Sequence, residues 1–395
     1  MGLGRFFALS ALSASLMLFV ACGQKSNCSG VSFSGSGSGS SGGVSTGGSV
    51  CGSGSNNGGG TGTADFVFYR GAAGANFTIN TAALTATAFQ TVNGASVSVG
   101  LSATGNMVVV NKKFLYLPDQ NGSGGVMGFQ IDRATGVLTA MASSPFPAPH
   151  PVTAMAADPD SKGGRFLFVT DFNSGEVSTF AIDPNTGTLT LSPSSPVSVL
   201  GLAATSLNVD GTGSYLYATA GSTGGDVFGL LIDQNSGDLS PILGSPWAIG
   251  ATDVQVSPDG AWMIANPGSN SLEVIPIESG TGSLLTGSMA SFPTTNTVGN
   301  VALSPNGNFV FTCSTAFPME GFQFSGGALT ALGSSPYTAL SDLGSCRFDQ
   351  NGTSLFGILA SGEISVRSIT PGNGAVAAGP ADLAVSTNEF FAVTN

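Results

Sequence analysis

The sequence predicts an all-β fold: a seven-bladed β-propeller with four antiparallel strands per blade, closed by N- and C-terminal strands. Three observations predict it. The stretch FLFVTDFNSGEVSTFAIDPNTGTLT (166–190) has counterparts in FLYLPDQNGSGGVMGFQIDRATGVLT (114–139) and YLYATAGSTGGDVFGLLIDQNSGDLS (215–240). The bulky strand that opens each copy begins near Phe66, Phe114, Phe166, Tyr215, Trp262, Phe309 and Leu355, a spacing near 48 residues. A fixed period of this size marks a chain of stacked units. Helical 3.6-residue periodicity is absent, and Gly and Pro punctuate the chain about every ten residues, as short strands and turns require.

Each copy contains four pieces. The first is a short apolar strand running into a turn, as in VQVSPDG (254–260) and VALSPNG (301–307). Pro fixes φ there and Gly supplies φ > 0. The second is the FLFV-type strand, rich in β-favouring residues. The third alternates, as in EVSTFAID (176–183), and the fourth follows an Asp-x-x-Thr-Gly turn and runs into Ser-Ser-Pro or Gly-Ser-Pro. One such sheet cannot bury both its faces; seven arranged radially bury them on one another. The C-terminal DLAVSTNEFFAVTN (382–395) reads as strands one and two of a repeat, and DFVFYRG (65–71) lacks a first strand before it. The expectation is that Asp382–Ser386 completes the first blade and that the strand at 390–393 is surplus, displaces part of the N-terminal blade or begins an eighth, partial blade.

Residues 1–21 read as a lipoprotein signal peptide. Arg5 supplies the positive region, Phe6–Val20 the apolar one, and Phe19-Val20-Ala21-Cys22 is similar to a bacterial lipobox, with Phe19 where Leu is usual. The expected consequence is lipid on Cys22, which anchors the chain to a membrane of the cell envelope, at the outer membrane or facing the periplasm. Residues 22–63 are a lipidated Cys and a Gly/Ser-rich tether spanning roughly 30 Å. Residues 64–395 are the propeller.

The chain has 22 Asp+Glu, 10 Lys+Arg and a formal net charge of −12. That balance argues against nucleic acid as a partner, which needs basic patches. Charged residues are only 8% of the total, so the surface is built from Ser, Thr, Asn, Gln and Gly. Five Cys occur: Cys22, then Cys28 and Cys51 in the tether, and Cys313 and Cys346 in the propeller, the last two a plausible disulfide for an exported protein. One His in the whole chain excludes His/Cys zinc clusters, and no P-loop, dinucleotide fingerprint or Gly-x-Ser-x-Gly elbow is present. The expectation is therefore neither metal nor cofactor. Asp132, Asp183 and Asp233 head Asx turns, although DQNSGD (233–238) also has the look of a weak calcium loop.

Strand order sorts the loops onto two faces. His150, in the link PFPAPHPVTAMAADPD (145–160), shares one face with the loop Asp171–Glu176. An imidazole flanked by prolines and close to carboxylates suits a general base. Lys112 and Lys113 fall on the other face.

The Ser-Pro-Asp-Gly, Phe-Leu-Tyr-Val, Ile-Asp and Thr-Gly-x-Leu-Thr pieces resemble the lactonase-type seven-bladed propellers, which include 6-phosphogluconolactonase-like and carboxymuconate-cyclase-like proteins. The resemblance covers 64–395. It implies a Pro-His segment at His150 followed by an acidic loop, Asp171 to Glu176, with an Arg. Here that loop has no base, which leaves Arg70 and Arg347 as cations. Two functions follow. The first is a membrane-anchored binding module that holds a small molecule, glycan or protein at the mouth of the ring. The alternative is a lactone hydrolase or isomerase in which His150 is the base, Asp171 or Glu176 orients it, and Arg70, Arg347 or Asn173 binds substrate.

Overall fold

A computed structural model describes residues 65–73, 76–84, 89–92, 97–100, 106–119, 124–170, 174–198, 204–220, 225–340, 342–380, 382–385 and 391–394. Cys22, Cys28, Cys51, Asp171, Asn173 and Ser386 lie outside them. The described residues form seven small antiparallel sheets, a seven-bladed β-propeller. Each sheet runs from an innermost strand to an outermost one. In the third blade the order is Ala154–Ala157, Phe166–Thr170, Glu176–Ile182 and Leu189–Leu191. In the fifth it is Asp253–Val256, Trp262–Asn266, Ser271–Pro276 and Ala290–Pro293. The seventh starts with Leu343–Phe348 and Ser354–Leu359.

The core is divided among the joints between blades. Phe66, Phe68, Leu115 and Phe129 join the first blade to the second. Tyr116, Met155, Leu167 and Phe180 join the second to the third. The pattern continues to Val67, Tyr69, Phe356 and Val366, which join the seventh blade back to the first. Ring closure is thus a property of the apolar residues on both faces of every second strand.

One repeated contact explains two pieces of the repeat at once. In six of the seven blades the glycine of the turn between third and fourth strands lies against the aromatic residue at the start of the second strand of the preceding blade. Gly136 faces Phe66, Gly187 faces Phe114, Gly237 faces Phe166, Gly282 faces Tyr215, Gly327 faces Trp262 and Gly374 faces Phe309. At Gly237 φ is +74°, and a Cβ would lie 2.6 Å from the Phe166 ring. Both backbone conformation and space therefore demand glycine there. The same carbonyls are used as acceptors: Tyr116 Oη donates to Gly187 O at 2.6 Å and Tyr217 Oη to Gly282 O at 2.8 Å.

The other recurring pieces are also hydrogen-bonding devices. The Ser of the Ser-Pro pieces holds the third strand: Ser144, Ser195, Ser245 and Ser335 accept from the N–H groups of Gly128, Thr179, Gly229 and Gly321 at 2.8–3.0 Å. The residue ending the innermost strand caps the second: Ser257 Oγ accepts from Trp262 N and Ser304 Oγ from Phe309 N, both at 2.9 Å.

This last device corrects the expectation for ring closure. Phe391–Val393, and not Asp382–Ser386, is the innermost strand of the first blade, paired with Val67–Tyr69. Thr394 Oγ1 accepts from Phe66 N at 2.9 Å, the role of Ser257 and Ser304. Ala392-Val393-Thr394 is therefore the counterpart of Gln255-Val256-Ser257. The alternating Leu383 and Val385 resemble an innermost strand, but Leu383 pairs with Ile364 on the seventh blade. It serves as a link, as Phe146–Pro147 and Val197–Ser198 do in their blades. Cys313 and Cys346 form a disulfide between the sixth blade and the innermost strand of the seventh.

Replacing Gly237 with Ala is expected to lower stability by about 2–3 kcal/mol, from overpacking added to a positive φ. Gly280 has φ +83°, and a Cβ added there would meet nothing within 4 Å. Gly280→Ala thus carries the backbone cost alone and is expected to cost about 1 kcal/mol. Urea unfolding midpoints of the two variants check this; equal losses would contradict the packing role.

Candidate active site

Antiparallel connectivity places the links into each blade, the loops between second and third strands, and the N-terminal ends of the innermost strands at one end of the ring. His150 lies in the link from the second blade to the third. Its backbone is seated on Gly124, where φ is +81° and a Cβ would lie 2.6 Å from the His150 carbonyl oxygen and 2.7 Å from Pro151 Cα. Only a residue without a side chain allows the link to settle this closely onto the second blade.

The imidazole reaches the third blade. His150 Nε2 is 2.5 Å from Glu176 Oε2, with the two side chains 40% and 27% exposed. That carboxylate oxygen is shielded from solvent and takes no hydrogen bond of good geometry, so the close imidazole is the polar group it faces. Glu176 opens the third strand, and its position is fixed through the backbone. Thr170 Oγ1 donates to Glu176 O at 2.9 Å, and Thr170 O accepts from Thr153 N at 2.8 Å and Thr153 Oγ1 at 3.1 Å. Thr153 closes the same link that carries His150. The imidazole and its carboxylate are thus tied to one rigid frame.

A second polar group lies in the central channel, a space of about 1090 Å³ lined by the innermost strands. Arg347 and Asp253 line it; among the described residues His150, Glu176 and Arg70 do not. Arg347 and Asp253 interact electrostatically. Asp253 accepts from Asn300 Nδ2 at 3.1 Å and from Val301 N at 3.4 Å, and Asn300 Oδ1 accepts from Cys346 N at 2.9 Å. Three consecutive blades are joined in this way. Enclosure by the ring pushes the Asp253 carboxyl up to about 6, against the opposing pull of the Val301 N–H and Arg347. The same enclosure pulls the Arg347 guanidinium down, with Asp253 opposing. At the far end of the channel Gln350 Nε2 donates to Asp160 Oδ2 at 3.1 Å, bridging the turns of the seventh and third blades.

The expected site residues are therefore partly brought together. His150 meets Glu176, Arg347 and Asp253 both line the channel, and Arg70 is a buried residue of the first blade's second strand, 9% exposed. Gly124, Thr153, Thr170, Asp253 and Asn300 are additions that the sequence reading does not anticipate. For two of them a signal exists. Asn106, Asp253 and Asn300 each stand four residues before Val110, Ser257 and Ser304, whose carbonyls open the turn after the innermost strand. Asn106 uses this repeat position in the same manner, bonding Met155 O at 2.6 Å and Met155 N at 2.9 Å on the next blade.

Asp132, Asp183 and Asp233 each accept two backbone N–H groups two and three residues ahead. These are Asx turns, and the donated bonds hold all three carboxyls below their ordinary range. No group of three or more His, Cys, Asp or Glu able to hold a metal occurs among the described residues.

Comparison with known proteins agrees with this architecture. Residues 78–196 match the family described as "Lactonase, 7-bladed beta-propeller". The chain is 31% identical over 149 residues to a 6-phosphogluconolactonase of Pectobacterium carotovorum, covering 37% of this chain and 43% of that one. It is 31% identical over 134 residues to the 6-phosphogluconolactonase of Pectobacterium atrosepticum, covering 33% and 39%. The match spans less than half the length of either relative. A solved structure from Bacteroides uniformis superposes with TM-score 0.67 at 15% identity, covering 84% of this chain and 99% of the other. The periplasmic gluconolactonase of Pseudomonas aeruginosa gives 0.63 at 15%, again over 84% and 99%. At that identity the two structures establish the fold. The family match and the Pectobacterium relatives agree with the resemblance over part of the chain, and the fold is that of a seven-bladed propeller.

The raised Asp253 carboxyl gives a pH prediction. A carboxyl whose folded value lies above its unfolded one contributes stability that is present below about pH 4 and lost as pH rises through about 6. The melting temperature of the parent protein is therefore expected to fall relative to Asp253→Asn between about pH 4 and pH 7. Parallel curves over that window would contradict the assignment.

Proposed function

We propose that the protein is a lactone hydrolase in which His150 is the general base. The observation that carries this reading is the His150–Glu176 contact at the open end of the ring. A carboxylate beside one imidazole nitrogen favours the tautomer in which Nε2 carries the proton and Nδ1 the lone pair. Support comes from the relatives named as 6-phosphogluconolactonases, which favour turnover over the non-catalytic binding module expected from the missing loop Arg.

In the proposed reaction Nδ1 takes a proton from a water molecule as the water oxygen bonds to the lactone carbonyl carbon. The carbonyl oxygen becomes an oxyanion, which a hydrogen-bond donor at the mouth must stabilise. Collapse breaks the bond to the ring oxygen, which receives the proton held by His150. The product is the open hydroxy acid, and no redox partner is involved. Glu176 stabilises the imidazolium formed on the way.

His150→Ala is expected to lower kcat/KM for lactones by at least about 100-fold, the usual contribution of a general base. Gly124→Ala, which displaces the His150 backbone, is expected to lower it in the same direction with the fold retained by circular dichroism. Turnover by His150→Ala equal to the parent's would overturn the reading.

Export and anchoring belong to the same proposal, motivated by the lipobox-like Phe19–Cys22. The protein expressed with its leader is expected to partition into detergent, and Cys22→Ser to remain in the aqueous phase. Equal partitioning of the two would exclude the anchor.

A further inference from the structure

We propose that the substrate of this site carries no anionic group: the mouth takes a neutral lactone and discriminates against its phosphorylated counterpart. The inference rests on the lactone-hydrolase reading. It comes from where the fold places its cations. Among the described residues, Lys112, Lys113, Lys162 and Arg165 lie in turns between first and second strands, and Arg133 in a turn between third and fourth. Connectivity places all five at the end of the ring away from His150.

The end that carries His150 is acidic. Glu176 and Asp226 open or nearly open third strands, Glu363 directly precedes one, Asp253 heads an innermost strand, Asp342 directly precedes another, and Asp382 lies in the last link. None of these six is buried. The cations nearest this end lie inside the blades or the channel and not on the rim. Arg367 is 5% exposed and donates from Nη1 to Ser365 Oγ and to Val366 O. Arg70 is buried in its strand. Arg347 lines the channel and not the rim, under the influence of the Asp253 charge.

A bound phosphate requires uncompensated cationic donors, most often a bidentate guanidinium, or the N-terminus of a helix. The mouth offers neither: the only helical turns among the described residues are Asp160–Lys162, at the far end, and Thr286–Ser288, between the third and outermost strands of the fifth blade. A dianion approaching this rim meets carboxylates. A neutral lactone meets no such field. The chain would differ in this from the relatives whose names specify a phosphorylated lactone.

The test is hydrolysis of glucono-δ-lactone and of its 6-phosphate by the purified protein, at low ionic strength and at about 1 M NaCl, where charge is screened beyond roughly 3 Å. The neutral lactone is expected to be preferred by at least about tenfold in kcat/KM at low salt, with the gap closing as salt rises. The double variant Asp226→Lys, Glu363→Lys is expected to raise kcat/KM for the phosphorylated lactone several-fold and to leave the neutral one unchanged. Equal or better turnover of the phosphorylated lactone at low salt, or a preference indifferent to both salt and the double variant, would overturn the inference while leaving the hydrolase reading intact. Turnover of neither lactone would remove the hydrolase reading and the inference with it.

Discussion

Six of the seven blades meet the one before them through a glycine pressed against an aromatic ring. A four-stranded sheet with both faces apolar has no stable existence in water, so its faces must be covered, and the neighbouring blades are what cover them. The contact between Gly237 and Phe166, repeated around the ring, sets how closely and at what angle two blades meet. Because the glycine sits in the turn between third and fourth strands, the far end of the ring is occupied by packing. The opposite end is left to the links and to the loops between second and third strands. That division is what frees a face for chemistry.

The same division places the polar residues. The link that enters the third blade must turn sharply onto the innermost strand, and Gly124 and Thr153 hold it there. His150 rides on that link and meets a carboxylate on the blade it enters. Below, the heads of the innermost strands carry Asn106, Asp253 and Asn300, which bond the adjacent blade. Structural bonding and the polar lining of the channel are therefore supplied by the same side chains. For Asp253 this double duty comes with an unfavourable ionisation, relieved in part by Arg347.

Much of this is legible in the sequence because the repeat is a physical unit with fixed roles at fixed positions. The period near 48, the Ser-Pro pieces and the Asp-x-x-Thr-Gly turns each correspond to a hydrogen bond or contact. Sorting loops by strand order is enough to put His150 and Glu176 on one face. What escapes has a common cause. The mate of Arg347 lies two blades away, and only the curvature of the ring brings the innermost strands face to face. The closing strand is misread because Leu383 and Val385 alternate like an innermost strand, while the deciding feature of Phe391–Thr394 is one hydroxyl aimed at Phe66 N. A link and an innermost strand have the same apolar pattern and differ in the cap that follows.

The central claim is that one imidazole, held by Glu176 at the open end of the ring, does the chemistry. The chain contains one His, and its side chain is 40% exposed, so a reagent that acylates imidazole has a single target. The measurement is lactone turnover followed during diethylpyrocarbonate treatment, against the number of imidazoles modified. The account predicts that activity falls in step with modification, reaches zero at one group per chain, and returns on treatment with hydroxylamine. Full acylation of His150 with turnover retained would contradict it.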